Sequence, residues 1–163
     1  MQELRANKAI QAQALQFLIL TAVRLAEVLG ATWEEFGEDV WSIPAERTKL
    51  GQPHRVPLSD PAWEILEQMA EIRTSDFVFP GKFQNTSISG GALRALLPPD
   101  CTLHGMRAAF ATWAAERTQF AFEVREAVLA HQVGNAVSRA YDRSDLLDKR
   151  HQLMADWAVF CGF

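Results

Sequence analysis

Tyr141 is the only tyrosine in the chain, and it stands in Arg139-Ala140-Tyr141-Asp142-Arg143. A phenol close to guanidinium groups can serve as an anion-activated nucleophile. The plainer alternative is a core-edge residue with its hydroxyl in water. His104 and Arg107 form an H-x-x-R pair. Three residues apart on a helix they share a face, so both can point at one anion. The arginine fork matches phosphate oxygens, and the histidine can move a proton beside it. Lys49 falls in Arg47-Thr48-Lys49-Leu50-Gly51. A turn lysine is usually just solvated, but on a hairpin over a substrate its ammonium could protonate a leaving oxygen. Arg24 opens an apolar stretch three residues before Glu27, which is also the spacing of an ordinary helix-surface ion pair. Each of these signals is soft when taken alone.

The elements that must position these residues are mostly helical. Ile10, Ala14, Phe17 and Leu18 recur at helical spacing within residues 9–20. A second helix is expected over 24–30, with Leu25, Val28 and Leu29 inward and Gly30 as its stop. Two short runs, 40–43 and 54–57, read as a hairpin joined by the polar turn that holds Lys49 and Gly51. Ser59-Asp60-Pro61 signals the start of a helix that carries Trp63, Leu66 and Met69. Residues 77–81 read as a brief extended run and 82–91 as a loop. Helices are expected over 92–97, 103–116, 122–129, 136–141 and 146–160. In the last of these, Leu153, Met154, Trp157, Phe160 and Cys161 share the spacing of a packed face, on this domain or on a neighbouring copy. The fold class is therefore mainly α with a small antiparallel sheet (α+β), in a single domain over residues 1–163.

Composition sets the outer limits. With 163 residues, 48% of them hydrophobic and 22% charged, the chain can bury one ordinary core. No apolar stretch is long enough to cross a bilayer, and the first residues do not read as a signal peptide. Cys101 and Cys161 are far apart with no CxxC partner, so neither a zinc ribbon nor a disulfide framework is expected. A reducing cytoplasm suits them best. The net charge of -4 argues against a protein that coats DNA with a uniformly basic surface. Sixteen Lys and Arg can still gather on one face. A metal-dependent hydrolase built on His54, His104, His131 and His151 would need a ligand spacing that the sequence does not offer.

Order and spacing turn the soft signals into a strong one. Leu20-Thr21-Ala22-Val23-Arg24-Leu25-Ala26-Glu27-Val28-Leu29 resembles the first arginine motif of the phage integrase family of tyrosine recombinases. Arg47-Thr48-Lys49, followed by Pro53-His54-Arg55-Val56-Pro57-Leu58-Ser59, is similar to its lysine hairpin. Leu103-His104-Gly105-Met106-Arg107 resembles its second arginine box, and Leu129-Ala130-His131 with Ala140-Tyr141 resembles its closing boxes. The resemblance covers nearly the whole chain and is strongest to integrases of prophages and genomic islands. Two departures are small. Ala22 stands where many relatives carry glycine, and His131 where some carry tryptophan.

The resemblance implies the DNA breaking-rejoining fold of an integrase catalytic core, and site-specific recombination that integrates or excises a mobile element. It implies that Tyr141 attacks a DNA phosphate to form a 3′-phosphotyrosyl link, that Arg24 and Arg107 hold the non-bridging oxygens, and that Lys49 protonates the leaving 5′-oxygen. His104 would assist proton transfer at the tyrosine, His131 would hydrogen-bond the phosphate, and Glu27 would orient Arg24. No metal or nucleotide cofactor is implied. The implied partners are double-stranded attachment sites and a homo-tetramer assembled on DNA by the full-length protein, in a bacterial or phage-encoded cytoplasmic setting. The family's core-binding and arm-binding domains have no counterpart in these residues, so a fragment of a longer enzyme is expected. Two competing expectations remain: strand passage of the type IB topoisomerase kind, and a non-catalytic DNA-binding module that retains the fold.

Overall fold

A computed structural model describes residues 2–131 and 145–163. Its organising element is α2 (Ile10–Thr21), preceded by a short α1 (Gln2–Ala6). From Ala12 to Thr21 every residue of α2 is buried. A helix that is apolar nearly all round must be surrounded, and α2 is: α1, α3 (Leu25–Leu29), α4 (Asp60–Glu71), α5 (Gly90–Arg94), α6 (Leu103–Arg117) and the C-terminal α8 (Leu147–Phe160) all pack on it. Between α6 and α8 lies α7 (Phe122–Val128).

The hairpin forms where two short apolar runs meet across a polar turn. β1 (Val40–Ile43) pairs antiparallel with β2 (His54–Pro57), with Ile43 opposite His54 and Ser42 opposite Arg55. Period-two alternation puts Trp41, Ile43, His54 and Val56 inward and leaves Ser42 and Arg55 outside. Phe17 of α2 meets Trp41 and Phe79 at ring-centroid distances of 5.5 Å each, which joins the hairpin to the helical core.

The element positions follow the sequence reading, with instructive differences. The expected helix over 92–97 begins earlier, at Gly90. The Ser89 hydroxyl accepts from Ala92 N–H at 3.3 Å and so caps it. A Cβ on Gly90 would stand 3.0 Å from Leu25 Cδ2, so glycine here lets the helix pack close against α3. In α3, Val28 is buried while Leu25 and Leu29 are only half-buried, and Glu27 goes inward instead. The expected helix over 136–141 lies outside the described residues. The last helix packs on its own domain, with Leu153, Met154 and Trp157 buried and Trp157 Nε1 donating to the Ile19 carbonyl at 2.7 Å. Phe160 departs from the expected core face: it is 62% exposed, stacked at the rim against Trp157 and Trp113. Arg150 fastens α8 to β2, donating to the carbonyls of Arg55 and Asp145.

Candidate active site

The site begins with two helix ends. The last carbonyls of a helix have no partner within it and need donors from elsewhere. At the end of α2 the chain turns through Ala22 in the left-handed conformation (φ 51°), and the Ala22 carbonyl accepts from Arg107 Nη1 at 2.8 Å. Just past α7, the Leu129 carbonyl accepts from Arg107 Nη2, and the next residue, Ala130, is again left-handed (φ 47°). One guanidinium thus clasps both turns. Arg107 itself rises from the first turns of α6, whose N-terminus is capped by the Thr102 hydroxyl accepting from Gly105 N–H at 2.9 Å.

Arg24 follows the first of these turns in extended backbone, as the residue before α3. The Glu27 carboxylate takes the Arg24 backbone N–H at 2.8 Å through Oε2 and the guanidinium at 3.1 Å through Oε1. Glu27 is only 2% exposed, so this is not the surface ion pair that the spacing also allowed. It caps the helix and aims the arginine in one arrangement. The Glu27 carbonyl in turn accepts from Arg47 Nη2 at 2.6 Å, and Arg47 Nε pairs with Glu35 at 3.0 Å. These contacts hold the first arm of the Lys49 turn against α3. A Cβ on Gly30 would stand 2.7 Å from Arg47 Nη1, so a larger residue there would push the guanidinium aside.

His131 closes the second turn. Its backbone N–H returns to the Glu126 carbonyl at 3.0 Å, and its ring Nδ1 lies 2.8 Å from the Glu126 carboxylate. With Nδ1–H donating to the carboxylate, Nε2 is left to accept from Arg107 Nη2 at 3.3 Å.

These residues converge. A cavity of about 420 Å³ is lined by Val23, Arg24, Leu25, Lys49, Leu103, His104, Arg107 and His131. Five of the six residues singled out for chemistry are in that lining; the sixth, Tyr141, lies outside the described residues. Two guanidinium groups, an ammonium group and two imidazoles face the space, and no acid among the described residues lines it. Lys49 and His104 are exposed and make no hydrogen bond or ion pair with a described residue. Burial first, and the neighbouring Arg24 second, push the Arg107 guanidinium down to about 10, while Glu27 and Glu126 act in the opposite direction. It stays charged at neutral pH but is short of counter-charge, which an entering oxyanion would supply. Positive potential is thus focused in one cavity of a chain whose net charge is -4.

Three supporting residues escaped the sequence reading as parts of a site. Arg47 and Glu126 carry no local signal, because their partners are set by the tertiary fold. His54 does carry one. Strand alternation places it on the same face as Val56, inward, and it proves to be 7% exposed. In the sequence it belongs to the second hairpin strand and to the hypothetical histidine metal site, with no role of its own in the candidate site.

Fold and cavity together define a mostly helical domain with a basic site shaped for an oxyanion. Comparison with known proteins supplies the family: the model described as the phage integrase family matches residues 1–147, and the chain belongs to that family. Prophage integrase IntA of Escherichia coli (strain K12) is 38% identical over 149 residues, covering 86% of this chain and 36% of the relative. Prophage integrase IntZ of the same strain is 36% identical, covering 89% and 38%. The integrase of Enterobacteria phage P4 is 31% identical, covering 90% and 39%. The chain therefore spans well under half the length of these relatives. Among solved structures, the Tn1549 transposon integrase (residues 82–397), determined in complex with circular intermediate DNA, shares the fold. Its TM-score is 0.51 at 13% identity, over 82% of this chain and 58% of that one.

Proposed function

We propose that the chain is the catalytic domain of a site-specific tyrosine recombinase that breaks and rejoins double-stranded DNA to move a mobile element. The observation that carries this reading is the meeting of Arg24, Lys49, His104, Arg107 and His131 on one basic cavity. Membership of the phage integrase family supports it, as does the likeness in fold to an integrase solved with DNA.

In this reading the scissile phosphate enters the cavity, and the guanidinium groups of Arg24 and Arg107 take its non-bridging oxygens. Both are fixed beforehand by Glu27 and by the two carbonyls, so little reorganisation accompanies the build-up of charge in the pentacoordinate transition state. His131, held by Glu126, adds a hydrogen bond. Tyr141 attacks phosphorus with His104 assisting removal of the phenolic proton. The P–O5′ bond breaks, and the leaving oxygen takes a proton from Lys49 to become a free 5′-hydroxyl. The 3′-phosphotyrosyl bond conserves the energy of the diester, and attack by a 5′-hydroxyl from the partner duplex reverses the step. Two duplexes present four strands, so exchange on paired attachment sites calls for four nucleophiles, and hence a tetramer of full-length protein.

The test is covalent trapping. A nicked duplex carrying the element's attachment site, which loses the short 5′-hydroxyl fragment after cleavage, is incubated with the protein and resolved on a denaturing gel. A protein–DNA band is expected from the wild type and none from Tyr141→Phe. No band from the wild type, or an equal band from the variant, overturns the assignment.

A further inference from the structure

We infer that Arg150, together with the exposed Arg55–Asp145 pair, positions the general acid: it fixes the second arm of the Lys49 hairpin to the start of α8 and so sets where Lys49 stands over the cavity. The inference deepens the recombinase reading above and rests on it.

The hairpin needs such a tie. Lys49 lies in a turn that the Thr48 hydroxyl closes on itself, accepting from Gln52 N–H at 3.1 Å and donating to the Gln52 carbonyl at 2.7 Å. The turn is therefore one unit, and its place depends on its two arms. A second cavity of about 170 Å³ separates Thr48, Leu50 and Pro53 from Ala130 and His131, so close packing on the end of α7 is not what holds the turn. The first arm is anchored by Arg47, which donates to the Glu27 carbonyl and pairs with Glu35. The second arm runs into β2, which among the described residues has a strand neighbour, β1, on one side only.

Arg150 anchors that second arm. It is 2% exposed. Its Nη2 donates to the Arg55 carbonyl of β2 and its Nη1 to the Asp145 carbonyl at 3.3 Å, so one planar fork spans the hairpin and the chain entering α8. Outside, Arg55 Nη1 meets Asp145 Oδ2 at 2.8 Å, joining the same two residues through their side chains. Asp145 Oδ1 accepts from Leu147 N–H at 3.3 Å, in the first turn of α8. Backbone and side chain of Arg55 are thus both bound to one end of α8, a helix held in the core by Leu153, Met154 and Trp157. Among the described residues no carboxylate pairs with Arg150, and its Nε has no partner. Burial pushes its guanidinium down to about 10, with Asp145 opposing the fall and Arg55 adding to it. A buried cation so placed is a poor source of stability. What it provides is a fixed spacing between two elements.

The exposed pair gives the cleanest test, because such pairs add only about 0–1 kcal/mol to stability. Asp145→Asn keeps an oxygen for Leu147 N–H but removes the charge, and Arg55→Gln removes it from the other side. In single-turnover cleavage of the trapping substrate each is expected to be slower by on the order of 10-fold. Arg55→Asp combined with Asp145→Arg should recover most of the lost rate. Arg150→Lys, which keeps the charge but not the fork, should be slower by on the order of 10- to 100-fold. A 5′-bridging phosphorothiolate substrate, whose thiolate leaves without an acid, restores these variants as it restores Lys49→Ala. Should Arg150→Lys fail to fold by circular dichroism, the exposed pair decides. Wild-type rates in Asp145→Asn and Arg55→Gln, an exchange that recovers nothing, or slow variants that the thiolate substrate does not restore would overturn the inference. So would a defect confined to Arg55→Gln, which would make Arg55 a DNA contact instead. A wild type that forms no covalent product sinks the recombinase reading itself.

Discussion

The two walls of the cavity are built on opposite plans. On the inner wall Arg107, Arg24 and His131 have their hydrogen bonds fixed by Ala22 and Leu129 carbonyls, by Glu27 and by Glu126. Arg107 is 8% exposed and bridges the ends of two helices. On the outer wall Lys49 and His104 are exposed, with no partner among the described residues. The division matches the chemistry proposed for each. Groups that stabilise charge act best when they need not move, while groups that exchange protons must be reachable. It also predicts that inner-wall substitutions disturb folding and activity together, and outer-wall substitutions activity alone.

The largest effect is expected at Arg107. Arg107→Ala strips the donor from two carbonyls and opens the space beneath them. Urea melts should show a loss of about 3 kcal/mol, and cleavage should fall by roughly 10³-fold or more. Lys49→Ala is the matched outer-wall change: cleavage down by about 10²-fold or more, stability within about 0.5 kcal/mol of wild type. A Lys49 variant as unstable as the Arg107 variant would erase the distinction between the walls.

A second break-point is acid. His54 titrates near 6.5 when unfolded and at about 3 when folded, so the unfolded chain binds the extra proton between those values. Its stabilising contribution is complete above pH 6.5 and is lost as pH falls toward 3, at about 1.4 kcal/mol per pH unit at most. Denaturation midpoints measured from pH 7 to 5 should therefore fall less steeply in His54→Asn than in wild type. An unchanged slope would mean that burial and the neighbouring Arg150, Arg107 and Arg24 do not hold the ring neutral.

The smallest effect sharpens the backbone side of the comparison. Ala22 occupies a left-handed conformation at φ 51°, ψ 21°, which costs an L-residue about 1–2 kcal/mol. Its methyl is buried, and burial of one such group is worth about 0.8 kcal/mol. Ala22→Gly should thus raise stability by roughly 0.5 kcal/mol in thermal melts; a loss would show that the methyl outweighs the strain.

What could be read from the sequence divides along the same line. The strands 40–43 and 54–57 and the start of α4 were legible, because β-alternation and Ser59-Asp60-Pro61 act locally. The lining residues were legible as types in order. Glu27 was ambiguous, since i,i+3 spacing is the same for a solvated pair and a buried cap. Gly90 and Gly91 read as loop because glycine usually punctuates, whereas the contact of Gly90 with Leu25 is a fact of packing. The bonds from Arg107 to Ala22 and Leu129 join residues 85 and 22 positions apart, and no local pattern announces them.

The clasp made by Arg107 bears on how silent copies of such an element would age. A lineage released from the need to recombine could shed Lys49 and His104 at little cost to the fold, but a chain without Arg107 would lose the tie between its two helix ends. Among inactive descendants the arginine should outlast the chemistry it once served. On the recombinase reading proposed above, its presence would testify to a folded domain, and the pair Lys49 and His104 to a working one.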